Sequence, residues 1–366
     1  MIDKEALIKL KQIEYAIVPG TLLTDEPLLK PEYYFHSDQF EEDGYYFLYV
    51  IGVRGAGKTV DGLTWLKNNG DGIMVRRTDP EFEIMLEEIN NPFNPMIKLG
   101  MISGARIKKT RTKLYMMYII ENESSEEKFI CEGVALNTFA STRSADFSFA
   151  KNVFWDEFIK QPDQKEFKAE GSAWLNMLET ISRSKHHINV RAYANSNDIY
   201  NPVFKELRVI NQLERLLDAA QHETQVYKDP KRHIKIVLYK PTKEFEIFKS
   251  ALALHDLTEG TQYADMAYNN QFTANDFSDC DYRNIKGYRP YFGIDDYTIF
   301  KHKGSKDIYV SYANADCFRY YSKFPLDQEN IRNKYYNIIR NRWLGRHIIF
   351  ESYDIKRRML ELFKLI

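Results

Sequence analysis

The chain has 366 residues, with 51 Lys and Arg against 52 Asp and Glu and an apolar fraction of 44%. That much apolar residue excludes a mostly disordered chain, and a net charge of -1 excludes a uniformly basic coat while leaving room for local basic patches. Three cysteines without a Cys-x-x-Cys pair, and eight histidines without metal-ligand spacing, argue against a disulfide framework and a zinc site.

Residues 1–40 read as one amphipathic helix and a loop punctuated by Pro19, Pro27 and Pro31. Acidic residues among the basic ones at the start are unlike a signal peptide. The longest apolar run, Tyr45 to Val53, is far short of the roughly 20 residues of a membrane helix, so a soluble intracellular protein is expected. Tyr45–Gly52 reads as a strand buried on both faces, followed by a Gly-rich turn and a helix through Leu63, Trp65 and Leu66. Gly72–Arg77 is a second short strand, with a helix from Pro80 to about Ile89. Alternation from Ile102 to Leu136 around the polar turn NESSEE predicts a β-hairpin. Asn152–Trp155 and Ile188–Ala194 are further strands, separated by a helix with Trp174, Met177, Leu178 and Ile181 on one face. Strands alternating with helices predict βαβ units and a mainly parallel sheet. The pattern weakens over 213–280, which reads as a charged helix, the strand IKIVLYKP and a polar segment. Beyond Asn284 a strand pair (PYFGIDDYTIF and DIYVSYA), a helix near Gln328–Trp343, the strand HIIFES and a terminal helix Tyr353–Leu365 predict a small α+β unit.

Gly52-Val53-Arg54-Gly55-Ala56-Gly57-Lys58-Thr59 fits GxxxxGK[ST], after a strand and before a helix. Glycines let backbone N–H groups close around phosphates, and the helix N-terminus adds a favourable dipole. Lys58 is expected on the β- and γ-phosphates of ATP, and the Thr59 hydroxyl on Mg²⁺. Arg54 is placed to meet the γ-phosphate or to swing to a carboxylate, unless it is only a surface arginine. Val153-Phe154-Trp155-Asp156-Glu157 is an apolar strand ending in two carboxylates. Asp156 suits the Mg²⁺ water shell, and Glu157 suits the general base that polarises the attacking water. By pattern, such an enzyme carries an extra strand between the loop strand and the acidic strand. Asn195 ends that strand, where a polar residue reads the γ-phosphate, unless it only forms the turn in NSNDIYNP. Arg183 follows the intervening helix and is either a partner of its dipole or an arginine finger for a neighbouring subunit's ATP.

The segments VIGVRGAGKT, IMVRRTDPE, FASTRSADFSFAKNVFWDEFI, WLNMLETISRSKHHINVRAYANSNDIYNP and GTQYADMAYNNQF resemble, in order and separation, the DNA-packaging ATPases of small picovirus-type podoviruses. The resemblance covers most of residues 45–272, thins over the last 90 residues and is absent from 1–35. It implies an ATPase domain of the ASCE class over 1–245 (with 1–40 as an extension), a linker or lid over 246–280, and an RNase H-like C-terminal domain over 281–366. It also implies a homomeric ring, a pentamer in this family, at the portal vertex of a capsid. There it would translocate double-stranded DNA together with a prohead RNA, in the host cytoplasm and not in the mature virion. It carries Arg183 to the trans-acting finger and Arg143 to a second basic position acting across the subunit interface. Sites shared between subunits need head-to-tail contacts that close into a ring.

Related terminases place a nuclease at the C-terminus, which needs several carboxylates around two metals. Asp295, Asp296, Asp316 and Asp354 are the candidates here, but they are scattered, and the unit-length genomes of these relatives require no cutting. Residues 331–366 hold nine Lys or Arg against three acidic residues, with Tyr335, Tyr336 and Trp343 interleaved, a pattern suited to nucleic acid or to a solvated helical face. Arg106, Lys108, Lys109, Arg111 and Lys113 form a second basic stretch able to track phosphates. Arg76 and Arg77 beside the phosphate loop suit either DNA or a subunit interface. The rival readings are a packaging enzyme that also cuts DNA, a P-loop kinase, and a nucleotide-gated RNA-binding scaffold.

Overall fold

The computed structural model describes residues 4–366 except 23, 25, 123, 143–144, 162–163, 166, 168, 184, 262–263, 265–274, 314, 318 and 323. The chain divides into two compact units, Met1–Leu207 with Leu216–Ala274, and Arg208–Arg215 with Asn275–Ile366.

The first unit is built on nine strands: β1 Phe47–Gly52, β2 Gly72–Arg76, β3 Gly104–Lys109, β4 Tyr115–Ile120, β5 Glu127–Ala135, β6 Asn152–Asp156, β7 Asn189–Asn195, β8 Gln225–Asp229 and β9 Ile234–Tyr239. They form one sheet in the order β3-β4-β5-β2-β6-β7-β1-β9-β8. Neighbours from β5 to β9 pair in parallel, while β3, β4 and β8 add antiparallel edges. The parallel strands are apolar on both faces because helices cover both. The helix Lys58–Asn69 lies on the face of Phe154; a Cβ on Gly62 would sit 2.2 Å from that ring, so only glycine lets helix and sheet approach this closely. The helix Glu170–Ser182 lies on the other face, where Trp174 packs on Trp155 with ring centroids 4.4 Å apart and donates to the Tyr49 hydroxyl at 3.0 Å.

The predicted hairpin is part of a three-stranded edge. β3 carries Arg106, Lys108 and Lys109 around Ile107, and its charges disguise it, as the charges of QVYKD disguise β8. The N-terminal segment contains the helix Lys4–Gln12 and returns along the sheet, where Phe35 N–H donates to Ala56 O at 2.8 Å. Residues 243–258, partly within the predicted linker, form the helices Lys243–Ser250 and Ala253–Thr258 of the first unit.

The second unit has a five-stranded sheet of β10 Tyr288–Ile294, β11 Tyr297–His302, β12 Ile308–Ser311, β13 Tyr320–Tyr321 and β14 Ile348–Phe350, ordered β13-β10-β11-β12-β14. The aromatic run PYFGIDDYTIF is therefore two strands, not one. Asp295 takes φ 51, a left-handed turn conformation that Asp tolerates, and the chain reverses there. The helix Pro325–Leu344 buries Ile331, Tyr335 and Ile339, one stripe at helical spacing, and leaves its other faces to solvent. Among the described residues, no helix is long and apolar enough to cross a membrane.

Candidate functional site

The carboxyl ends of β1, β6 and β7 meet at one place. β7 pairs with β1 on one side and β6 on the other, so the strand ending in Asn195 stands between the phosphate loop and the carboxylate pair. Gly52 and Asn195 are register partners. Gly55 and Gly57 take φ values of 78° and 88°, the left-handed conformation that turns successive N–H groups toward a common centre.

Lys58 is 7% exposed and donates to Gly52 O at 3.0 Å, Val53 O at 2.7 Å and Asn195 Oδ1 at 3.1 Å. Burial pulls its ammonium down to about 8, against the opposing pull of Asp156 and Glu157. The Thr59 hydroxyl donates to both Asp156 oxygens, at 3.1 and 3.0 Å. Asp156 is 2% exposed, and burial raises its pKa although the nearby Arg76 lowers it. Glu157 follows with φ 57, which swings its half-exposed side chain out of the strand direction. A hydroxyl and a carboxylate in contact, both oxygen donors, suit Mg²⁺. The glycine turns, the helix N-terminus and the buried lysine suit its phosphate partner. A cavity of about 720 Å³ opens beside the loop and is lined by Tyr34, Trp65, Asp156, Glu157 and Asn195 among others. Arg54 is exposed on the loop.

Arg76 takes a place that the sequence left undecided. At the end of β2, its Nη2 lies 2.9 Å from Asp156 and its Nη1 3.2 Å from Glu157, a fork across both carboxylates. Arg77 points elsewhere. It is buried and pairs with Glu170, Nε to Oε1 at 2.5 Å and Nη2 to Oε2 at 2.8 Å, with Gln164 Oε1 at 2.9 Å. Neither side chain presents a free basic surface to DNA. The doubled arginine beside the loop was a visible signal, but it did not say which residue faced the carboxylates.

Arg183 is exposed just after the helix Glu170–Ser182, beside the amino end of β7. The length of β7, about 20 Å, separates it from the phosphate loop of its own chain. Arg143 lies outside the described residues. On the edge hairpin, Arg106 pairs with Glu127 and Lys109 with Glu83, while Lys108, Arg111 and Lys113 are exposed.

In the second unit, three of the four candidate nuclease carboxylates do converge, but on a cation of the chain. Arg358 contacts Asp295 at 3.3 Å, Asp296 at 2.6 Å and Asp354 at 3.5 Å, and its guanidinium lies over the Tyr297 ring at 5.0 Å. Asp316 is exposed. Among the described residues, no group of three or more His, Cys, Asp or Glu is arranged to hold a metal ion.

Comparison with known proteins places this geometry in a family. The DNA packaging protein of Bacillus phage B103 is 23% identical over 231 residues, 61% of this chain and 63% of the relative. That of Bacillus phage phi29 is 24% identical over 230 residues, 61% of each chain. The chain thus spans about three-fifths of the length of the curated relatives it matches. Among solved structures, the phi29 viral genome packaging motor assembly matches with a TM-score of 0.60 at 18% identity, covering 91% of this chain and 99% of that one. The phi28 gp11 DNA packaging motor matches with a TM-score of 0.55 at 17% identity, covering 92% and 97%. The family described as Podovirus DNA encapsidation protein (Gp16) matches residues 30–313, most of the chain, and the chain belongs to that family.

Proposed function

We propose that this chain is the ATP-hydrolysing subunit of a motor that drives double-stranded viral DNA into a preformed capsid. The carrying observation is the convergence of Lys58, Thr59, Asp156, Glu157 and Asn195 at the ends of three adjacent parallel strands. In this reading the fold is of the ASCE class. The loop N–H groups from Gly52 to Thr59 and the Lys58 ammonium hold the β- and γ-phosphates of ATP. Thr59 and Asp156 hold Mg²⁺, which when bound neutralises charge on the phosphates. Asn195 donates to the γ-phosphate, and Arg54 adds charge at the loop rim. Glu157 accepts the proton of a water aimed at the γ-phosphorus, so that the P–O bond to ADP breaks as the water oxygen adds.

Arg76 sets the resting state. While its guanidinium forks across Asp156 and Glu157, Glu157 is engaged as an ion-pair partner and is not aimed at a water. Bound phosphate offers that guanidinium a competing anion, which links nucleotide binding to release of Glu157.

The distance of Arg183 from its own loop supports an action in trans, with Arg143 as a second contributor. This reading requires a closed homomeric ring, a pentamer at the portal vertex, with prohead RNA and DNA as partners. The exposed Lys108, Arg111 and Lys113 and the basic faces of residues 331–366 are the nucleic-acid contacts. The domains are assigned as 1–245 for the ATPase, 246–280 for the linker or lid, and 281–366 for an RNase H-like domain. Arg358 standing among its carboxylates supports a domain without nuclease activity. The chain acts in the host cytoplasm, docked on the prohead during filling.

The test is ATP turnover per subunit against protein concentration, with and without duplex DNA. A steep rise with concentration and a further rise with DNA are expected. Turnover that is flat in both would overturn the shared-site motor.

A further inference from the structure

We propose that Lys249 is a second lysine ligand for the nucleotide phosphates, brought to the phosphate loop by a helix far outside the motif. The inference rests on the ATP reading above and adds a binding residue to it. The Lys249 Nζ lies 3.3 Å from the position that a Cβ on Gly55 would occupy, so the ammonium stands against the backbone of the loop itself. Gly55 is one of the two residues in the loop whose positive φ shapes the cradle. Lys249 therefore joins Arg54 and Lys58 as the third cation around one short turn.

That placement is built by more than the reach of one flexible side chain. The helix Lys243–Ser250 is capped by Thr242, whose hydroxyl oxygen accepts from Phe245 N–H, and it buries Phe245 and Phe248 in the core. Phe245 meets Tyr34 edge-on, and Tyr34 in turn packs against Gly57. The N-terminal segment braces the same helix from outside: Lys9 Nζ donates to Ser250 O at 2.8 Å, and the Tyr15 hydroxyl donates to Glu244 at 2.6 Å. Residues 4–15, to which the sequence assigns no role, thus fix the helix that presents Lys249.

The ordinary role of a lysine in a last helical turn is to face the helix dipole, with its ammonium in water. Lys249 is instead partly buried near Arg54, and both its burial and the charge of Arg54 lower its pKa. An anion drawn to this turn would meet all three cations, and a polyphosphate is the anion this loop is shaped for. The backbone of such a loop cradles phosphates that ATP and ADP share, and the Lys249 ammonium standing against that backbone is assigned to them.

The experiment measures binding of fluorescent ATP and ADP analogues to the full chain for wild type, Lys249→Met, Lys249→Arg and Lys58→Ala. Lys249→Met keeps the apolar stem and removes the charge. It is expected to weaken both nucleotides by about tenfold, with Lys249→Arg restoring much of the loss and the melting temperature without nucleotide not reduced in Lys249→Met. Wild-type affinity in Lys249→Met would overturn the proposal, as would an equal loss in the Met and Arg variants, which marks a packing role. Failure of wild type to bind either nucleotide, or undiminished binding by Lys58→Ala, would instead sink the ATP reading on which it stands.

Discussion

Arg76 in the first unit and Arg358 in the second each stand among carboxylates, yet their surroundings differ. Arg76 spans Asp156 and Glu157 beside a turn of left-handed glycines, a buried lysine and an open cavity. Arg358 spans Asp295, Asp296 and Asp354 over an aromatic ring, at a hairpin turn with no phosphate cradle. At the first place a second cation has somewhere to go: Thr59 and Asp156 are already in contact, and an anion arriving on the loop can draw the guanidinium away. At the second place the arginine completes the cluster. Carboxylates drawn together do not by themselves make a metal site; the decisive matter is whether the protein's own cation can be exchanged.

The largest expected effect tests the catalytic side of that contrast. Glu157→Gln keeps size and hydrogen bonding but loses the base, so turnover should fall about 100-fold or more while ATP still binds. Steady-state hydrolysis together with nucleotide-binding titration checks both halves. Normal turnover in this variant removes Glu157 from the chemistry.

The next effect compares the two arginines directly. Arg76→Met leaves the buried Asp156 facing Glu157 without its cation, and should cost about 2–3 kcal/mol in the absence of metal. Millimolar Mg²⁺ should recover part of that loss, because the metal replaces the missing charge. Arg358→Met should cost about 1 kcal/mol, since Asp295 and Asp296 stay 44% and 58% exposed and hydrated. Mg²⁺ should recover none of it. Thermal melts of the four combinations separate these outcomes, and recovery by Mg²⁺ in Arg358→Met would mean that the second cluster is a silenced metal site.

The sequence revealed the parts of the site that are contiguous. The phosphate loop is eight consecutive residues, and the carboxylate pair closes an apolar run, so both signals are local. What it could not reveal arises from pairing between distant segments. Arg76 reaches Asp156 because β2 lies beside β6 with Val75 opposite Trp155, and no spacing within either strand announces that register. Lys249 reaches Gly55 through a helix almost two hundred positions downstream. The edge strands β3 and β8 were hidden by their charges, since an edge exposed to water need not be apolar. The turn at Asp295 was hidden for the opposite reason, as the aromatic residues on both sides ran together into one apparent strand.

The third effect concerns Glu214, a carboxylate of the second unit that burial dominates. Its two oxygens accept from Tyr353 N–H, each at 3.0 Å, at the start of the helix Tyr353–Leu362. Arg215 and that N–H favour its charged form, while burial and the charge of Asp354 oppose it, and its pKa is pushed up to about 7. Cys280 and Tyr353, also nearby, carry no charge to offset this at neutral pH. The folded state therefore keeps a proton that the unfolded chain releases near the ordinary carboxyl range. Between there and pH 7 the folded state binds more protons, so stability falls as pH rises and the loss is complete above about 7. Partial exposure limits the loss to about 1–2 kcal/mol. Glu214→Gln cannot release a proton, and the difference between its pH–stability curve and that of wild type should carry this slope, cancelling the titration of other groups. Parallel curves for the two proteins would mean that Glu214 is ionised throughout, held by the helix N-terminus against its burial.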